Sequence, residues 1–388
     1  MSLSSWPFYE PDEIQAASDV LKSGRVNAWT GEDCAHFESA FAEQFHASHG
    51  LTLANGSLAL EAALIGLEIG PGDDVLVTPR SFMASTSCVV LRGARPVFAD
   101  IDRQSQNLSV ETLEAARTPA TRAVIVVHLA GWPCDMPAIM AWANTHDIKV
   151  IEDGSQAHGA LINGKSVGSF GHAAAFSFCH DKIMTTGGDG GMMITNDEQV
   201  WKRAWSSREH GKSLDAVKRS DHPPGFRWLI ESFGSNWRMT GPQAAIGLRQ
   251  LTKLKKWHEL RLRNTSMLRE RLNGIACIRF PWPDEHMVHA CYRAFCFVEP
   301  DHLASGWSRD RIMQDINDAG WPCQVGGCPE IYREKAIVDA GFTPTAPLPT
   351  ARELGETGLC FLVHPTIESN EMAAYADAVR DVIQTASA

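Results

Sequence analysis

"GLTLANGSLALEAALIGLEIGPGDDVLVTP", residues 50–79, sets the architecture of the first two-thirds of the chain. GLTLANGS reads as a strand running into a turn, and LALEAALIGLEI places its apolar residues at helical spacing. PGDDVLVTP then gives a second turn and strand. A strand, a crossover helix and a second strand make a parallel pair. The alternation continues through STSCVVLRGA (helix), RPVFADID (strand), TRAVIVVHLAG (buried strand), DMPAIMAWANTHD (helix) and IKVIEDGS (strand). Two further β runs, AAAFSF and GGMMITN, extend the same sheet. The expectation is an α/β fold with a mostly parallel central sheet covered by helices on both faces.

Near residue 240 the pattern changes. TGPQAAIGLRQLTKLKKWHELRLRNTSMLRERL predicts a long helix from about Pro242 to Leu272, with a solvated basic face, connecting two domains. After it come a β run (YRAFCFVEP), a helix (SRDRIMQDINDAG), a short strand (WPCQV) and a last helix (SNEMAAYADAVRDVIQTA). The expected division is a large α/β domain over 1–250 and a smaller α+β domain over 251–388.

Composition excludes several function classes. A formal net charge of -11 argues against a nucleic-acid binder, which needs clustered positive charge. No window approaches the ~18 consecutive apolar residues of a membrane span, and the N-terminus carries no basic region leading into an apolar run. The ten cysteines form no CxxC pair and sit mostly in apolar surroundings, as in a reduced cytoplasmic protein. Cys323 and Cys328 lie close together but lack further ligands at zinc spacing, so no metal is expected.

In an open parallel sheet, ligands bind beyond the carboxyl ends of the strands. Asn55, Gly56 and Ser57 open a helix there, which is either an anion site or an ordinary N-cap. Phe82, after the next strand, could stack on a planar ring or belong to the core. Asp153 ends another strand, with Gln156 three residues on. Asp153 could cap a turn, or it could keep a pyridine nitrogen protonated, a recurring requirement of pyridoxal phosphate (PLP) enzymes. "FSFCHDKIMTTGGDGGMMITND", residues 176–197, then supplies Lys182 beside a glycine-rich turn. A lysine amine at that place can condense with the cofactor aldehyde and later move a proton, and Ser177 could reach the phosphate.

These pieces, in order, resemble the DegT/DnrJ/EryC1/StrS sugar aminotransferases, which have the fold-type I PLP architecture. The matching stretches are NGSLALEAAL, VTPRSFMAST, RPVFADID, VHLAGWPCDM, IEDGSQAHGA, FSFCHDK, GGDGG, GSNWRMTGPQAAIGLRQL and FLVHPTI, over residues 24 to 366. The resemblance implies Lys182 as the Schiff-base lysine and Asp153 as the pyridinium partner. It implies Gly56, Ser57, Gln156 and Ser177 around the cofactor, with Phe82 over its ring. Asn236 would reach the cofactor phosphate of a neighbouring subunit, giving a homodimer with shared active sites. His158, Arg238 and His364 would fall near the substrate.

The implied reaction moves an amino group from glutamate to a nucleotide-linked keto-deoxysugar through a pyridoxamine phosphate form. The amino sugar would serve a surface polysaccharide or a glycosylated metabolite. Alternatives are a PLP-dependent sugar dehydratase, or an aminotransferase for a cyclitol or another non-nucleotide ketone. A sister group of dehydratases carries histidine at the lysine position, and here Lys182 fills it. GWPCQVGGCPEIYREKA replaces a histidine- and proline-rich segment that touches the sugar nucleotide in many members, which leaves the sugar open.

Overall fold

The structure is a computed structural model and describes residues 3–221 and 224–388. After the helices α1 (Pro11–Ser23) and α2 (Asp33–Gln44) come the strand β1 (His49–Leu53), the helix α3 (Gly56–Gly66) and the strand β2 (Asp74–Val77). Asn55 separates β1 from α3. Its backbone is extended, and its side-chain oxygen accepts from the Leu58 amide at 3.0 Å, satisfying a donor that the helix leaves open. The unit then repeats through α4 (Ala84–Leu91), β3 (Arg95–Phe98), α5 (Val110–Ala116), β4 (Thr121–Val127), α6 (Met136–Thr145) and β5 (Lys149–Asp153). A small hairpin of β6 (Leu161–Ile162) and β7 (Lys165–Ser166) precedes β8 (Ala173–Ser177) and β9 (Gly191–Thr195), and α7 (Glu198–Arg208) and α8 (Leu214–Lys218) follow.

Seven strands form the main sheet in the order β1-β9-β8-β5-β4-β2-β3. The pairs from β8 to β3 are parallel, whereas β9 runs antiparallel to both β1 and β8. The reason is local: no crossover helix separates β8 from β9, so the chain can only return beside itself. Successive side chains enter opposite cores. Leu76, Val124, Val126 and Val150 pack on one face, and Val75, Val77, Ala123 and Ile125 on the other. With both faces covered, the open ground is the edge where β1, β2, β4, β5 and β8 end.

α9 (Gly241–Leu272) is a single 32-residue helix, opened by a capping box between Thr240 and Gln243. It crosses residue 250 without a break. It packs on α1 and α2 and also against the C-terminal helix α13 (Ser369–Ala386). Beyond it lie β10 (Ile278–Arg279), β11 (Met287–Val288), β12 (Ala294–Val298), α10 (Arg309–Asp318), α11 (Lys335–Asp339), α12 (Pro349–Thr357), β13 (Gly358–Phe361) and α13 (Ser369–Ala386). β10, β12 and β13 make a second, antiparallel sheet with its own core, while β11 pairs with β6.

Two expectations need correction. WPCQV is not a strand; it makes one bridge, Gln324 to Cys360, because Pro322 offers no amide and Gly326 and Gly327 end the extended run. The basic face of α9 is not simply solvated. Arg261 has no exposed surface, Arg263 donates to the Ile367 carbonyl at 2.9 Å, and Lys253 pairs with Glu10, Asp12 and Glu13.

Candidate active site

At the end of β5, the carboxylate of Asp153 is buried. Its Oδ2 accepts from the Ser85 hydroxyl at 2.8 Å and its Oδ1 from the Ser155 amide at 3.1 Å. Ser85 lies in the first turn of α4, so that helix aims the acid. Gln156 spends its Oε1 on the Ala130 amide at 2.7 Å. Ala130 holds a left-handed backbone (φ 57°), strained for a residue with a Cβ. Its carbonyl accepts from the Tyr292 amide at 2.9 Å, which links the loop after β4 to the smaller sheet.

Gly56, at the start of α3, is pressed against β8. A Cβ there would lie 2.6 Å from the Ser177 Cβ, so only glycine allows this approach. The Leu58 and Ala59 amides bond back to Asn55. The amides of Gly56 and Ser57, in front of them, have no partner among the described residues, and the helix dipole turns such donors toward an anion. Phe82, after β2, is 71% exposed at the same edge.

Lys182 follows β8 and lies mostly buried. Its carbonyl accepts from the Trp6 indole N–H at 2.9 Å, so the N-terminal segment braces the loop. Its Nζ stands 3.2 Å from Asp181 Oδ1 and 3.5 Å from the Tyr292 hydroxyl, which itself donates to Asp181 Oδ2. Burial acts against the ammonium, but its electrostatic and hydrogen-bond interactions with Tyr292 and Asp181 outweigh it and raise the Lys182 pKa above the ordinary lysine value. Asp181 shows the converse. Burial raises its pKa, but the Lys182 charge and the Tyr292 hydrogen bond outweigh burial, and the net shift is downward. The glycine-rich turn is fixed to α9 through the Asp189 carbonyl, which accepts from Gln243 Nε2 at 2.7 Å.

Other residues expected near substrate are placed differently. His158 does not face the open edge. It is fully buried among Phe41, Phe45, Phe176 and Phe178, and burial, with the Lys182 and Arg261 charges, pushes its pKa down to about 3. Neither ring nitrogen has a hydrogen-bond partner. Arg238 is engaged by the buried carboxylate of Glu209 at 2.6 Å. Asn236, two residues earlier, is exposed. His364 is buried and stacks on Trp6. It lines a cavity of about 560 Å³ whose wall includes Trp6, Asp181, Arg293, Asn317 and Trp321.

Sequence reasoning missed Ser85, Asp181, Tyr292, Arg293 and Trp6. Asp181 was visible as the neighbour of Lys182, and Ser85 as a hydroxyl in the turn after Phe82. Tyr292 and Arg293 carry no local signal, because their meaning comes from a contact 110 positions away in sequence. Donor atoms of Cys179, His180 and Asp181 also converge in this loop, whereas Cys323 and Cys328 belong to no such group among the described residues.

A sequence profile of the DegT/DnrJ/EryC1/StrS aminotransferase family matches residues 8–380. The chain belongs to this family. Among solved structures, an aminotransferase from Psychrobacter cryohalolentis superposes with a TM-score of 0.96 and 47% identity, covering 98% of each chain. Among curated relatives of this aminotransferase family, a UDP-N-acetyl-3-dehydro-alpha-D-glucosamine 3-aminotransferase from Acidithiobacillus ferrooxidans is 40% identical over 86% of this chain and 84% of its own. A GDP-perosamine synthase from Caulobacter vibrioides is 40% identical over 75% of each. The mixed α/β fold with its mostly parallel seven-stranded sheet is that of the fold-type I aminotransferases. Among the described residues, no helix of this family member is long and apolar enough to cross a membrane.

Proposed function

We propose that this aminotransferase depends on PLP and moves the amino group of glutamate to the keto carbon of a nucleotide-linked deoxysugar, as a cytoplasmic homodimer with shared active sites. One observation carries the reading. A buried carboxylate aimed by Ser85 and a lysine gripped by Asp181 and Tyr292 stand at the ends of neighbouring strands. The sugar nucleotide is supported by the two curated relatives, whose printed activities concern GDP- and UDP-linked sugars. The reduced compartment is supported by ten free cysteines.

The residues present fit PLP. The cradle between Gly56 and Ser177, too close for any other residue at 56, would take the phosphate on the free amides of Gly56 and Ser57. Asp153 would hold a proton on the ring nitrogen, Phe82 would cover the ring, and Gln156 would fix the floor through Ala130. When bound, PLP supplies an aldehyde and a ring that withdraws electrons from the carbon undergoing proton transfer. Lys182 would give up its ammonium proton before bonding and, once released, carry a proton at Nζ between the reacting carbons. Asp181 and Tyr292 are the groups against which that proton is held. Arg238 and His364 are kept as substrate contacts, Arg238 through the partner's site.

The test is the visible spectrum of purified protein before and after glutamate, beside Lys182→Ala. A cofactor band that converts with glutamate and is absent from the variant is the expected result. No band even with added PLP overturns the cofactor. A band that ignores glutamate overturns the donor and moves the assignment toward dehydration.

A further inference from the structure

The turn that carries Lys182 also gathers three metal-binding side chains. After β8 ends at Ser177, the Lys182 amide bonds back to the Cys179 carbonyl at 3.0 Å and closes a turn over residues 179–182. Cys179 Sγ stands 3.4 Å from His180 Nδ1. Donor atoms of Cys179, His180 and Asp181 all lie within 4.8 Å of one another. His180 is exposed, and Cys179 and Asp181 are half-buried, so the group is open to solvent. Of the ten cysteines, only Cys179 and Cys328 are not buried, and Cys328 belongs to no such group among the described residues.

A thiolate, an imidazole and a carboxylate together suit a borderline divalent cation such as Zn²⁺, whereas Mg²⁺ and Ca²⁺ are held by oxygen ligands. Zn²⁺ takes sulfur at about 2.3 Å and nitrogen at about 2.0–2.1 Å, so a tetrahedral angle between those bonds sets the two atoms about 3.5 Å apart. The Cys179–His180 pair already has that spacing. Side-chain rotation brings the carboxylate to a third corner, and solvent can fill the fourth. The contrasting group is Glu10, Asp12 and Glu13, whose oxygens also converge. There the Lys253 ammonium already takes the cation's place, at 2.9, 2.7 and 3.1 Å. At the Lys182 turn the opposing charges are Lys182, 3.2 Å from Asp181 Oδ1, and Arg293, 3.8 Å from Asp181 Oδ2. A thiolate and a carboxylate together offset the two charges of the metal.

We propose that Cys179, His180 and Asp181 form a site for Zn²⁺ or a similar borderline divalent cation, and that filling it inhibits the enzyme. Cys179 releases its thiol proton to solvent on binding. Sulfur, ring nitrogen and carboxylate oxygen each donate a lone pair, and nothing changes oxidation state. The metal then competes with Lys182 for Asp181 and cross-links the turn from which Lys182 must work. The inhibition rests on the transaminase reading above; the site itself does not.

Zn²⁺ is titrated calorimetrically into purified protein freed of metal with EDTA, and the zinc-loaded protein is taken to X-ray absorption. The wild type should show zinc bonded to one sulfur at about 2.3 Å and to lighter atoms at about 2.0–2.2 Å. Cys179→Ser and His180→Gln should each weaken binding by more than about 10-fold, since losing a ligand costs at least as much as losing a group that supports one. Cys328→Ser should bind as the wild type does. Buffered free Zn²⁺ should slow conversion of the cofactor band by glutamate in the wild type and far less in Cys179→Ser, and EDTA should restore the rate. No zinc binding, a zinc shell without sulfur, or unchanged affinity in either ligand variant overturns the site. Zinc binding that leaves glutamate conversion unchanged overturns the inhibition. A wild type without a cofactor band overturns the transaminase reading and the inhibition with it, while calorimetry and X-ray absorption decide the site by themselves.

Discussion

At Lys182 the opposing effects can be ranked. Burial disfavours the ammonium, Tyr292 and Asp181 more than offset it, and the pKa lies above the ordinary lysine value. Only the neutral amine attacks a carbonyl, so a raised pKa reduces the reactive fraction at neutral pH. Asp181→Asn keeps the size and removes the charge, which lowers the Lys182 pKa and increases the neutral fraction at any pH below it. The rate at which cofactor-free protein takes up PLP, measured from pH 6 to 10, should therefore have its acid limb moved to lower pH in this variant. An unchanged limb, or one moved upward, would show that Asp181 does not set the charge on Lys182. Half of this arrangement was legible in the chain, because Asp181 and Lys182 are neighbours and Asp153 ends an obvious strand. The other half was not. Tyr292 reads as an ordinary strand-flanking aromatic until folding brings its hydroxyl to Lys182, and His158, which follows Gln156 closely in sequence, turns inward to an aromatic cluster that periodicity does not reveal.

Between elements, the tightest constraint on the site is the seat of α3 on β8. Gly56 leaves no room for a side chain, since its Cβ would lie 2.6 Å from the Ser177 Cβ and 3.0 Å from the Ser177 Oγ. Gly56→Ala must push the helix N-terminus away from the strand, which turns the free amides of Gly56 and Ser57 off their target. Overpacking of this kind costs about 1–3 kcal/mol. Urea unfolding should show that loss, and a spectroscopic PLP titration should show affinity reduced by about tenfold or more, as expected for weakening a charge-assisted contact. Wild-type affinity in Gly56→Ala would mean the phosphate is held elsewhere. The elements themselves were largely readable, because β1, β2, β4 and β5 are apolar runs bounded by turn residues and α9 is long and periodic. Direction was harder. The antiparallel course of β9 follows from the absence of a helix between it and β8, a property of the connection rather than of the strand. The buried Arg261 was equally hidden, since its helical position looks solvent-facing until Trp6 of the N-terminal segment covers it.

For the whole molecule, the segment between α8 and α9 raises a separate question. Phe226, Trp228, Ile230 and Phe233 expose large apolar side chains, with Trp228 at 87% and Phe233 at 103%. The segment is nonetheless fastened down: Arg227 Nη2 donates to the Ala216 and Val217 carbonyls, and Glu231 and Ser232 bond to Gly211. An anchored strip of aromatic residues facing water marks an interaction surface. Asn236, which the family resemblance sets at a neighbouring cofactor phosphate, is exposed at the end of this strip. The homodimer proposed above would place a second copy on this strip. Light scattering at micromolar concentration should give twice the 42.5 kDa chain mass. Trp228→Glu combined with Phe233→Glu places charges in the strip and alters none of the residues bonded to Asp153 or Lys182. It should shift the mass toward that of one chain and weaken PLP retention together, because each Asn236 would lose the site it serves. A wild type that scatters as one chain would remove the dimer. A double variant that becomes monomeric while holding PLP as tightly as before would keep the dimer and remove the shared site.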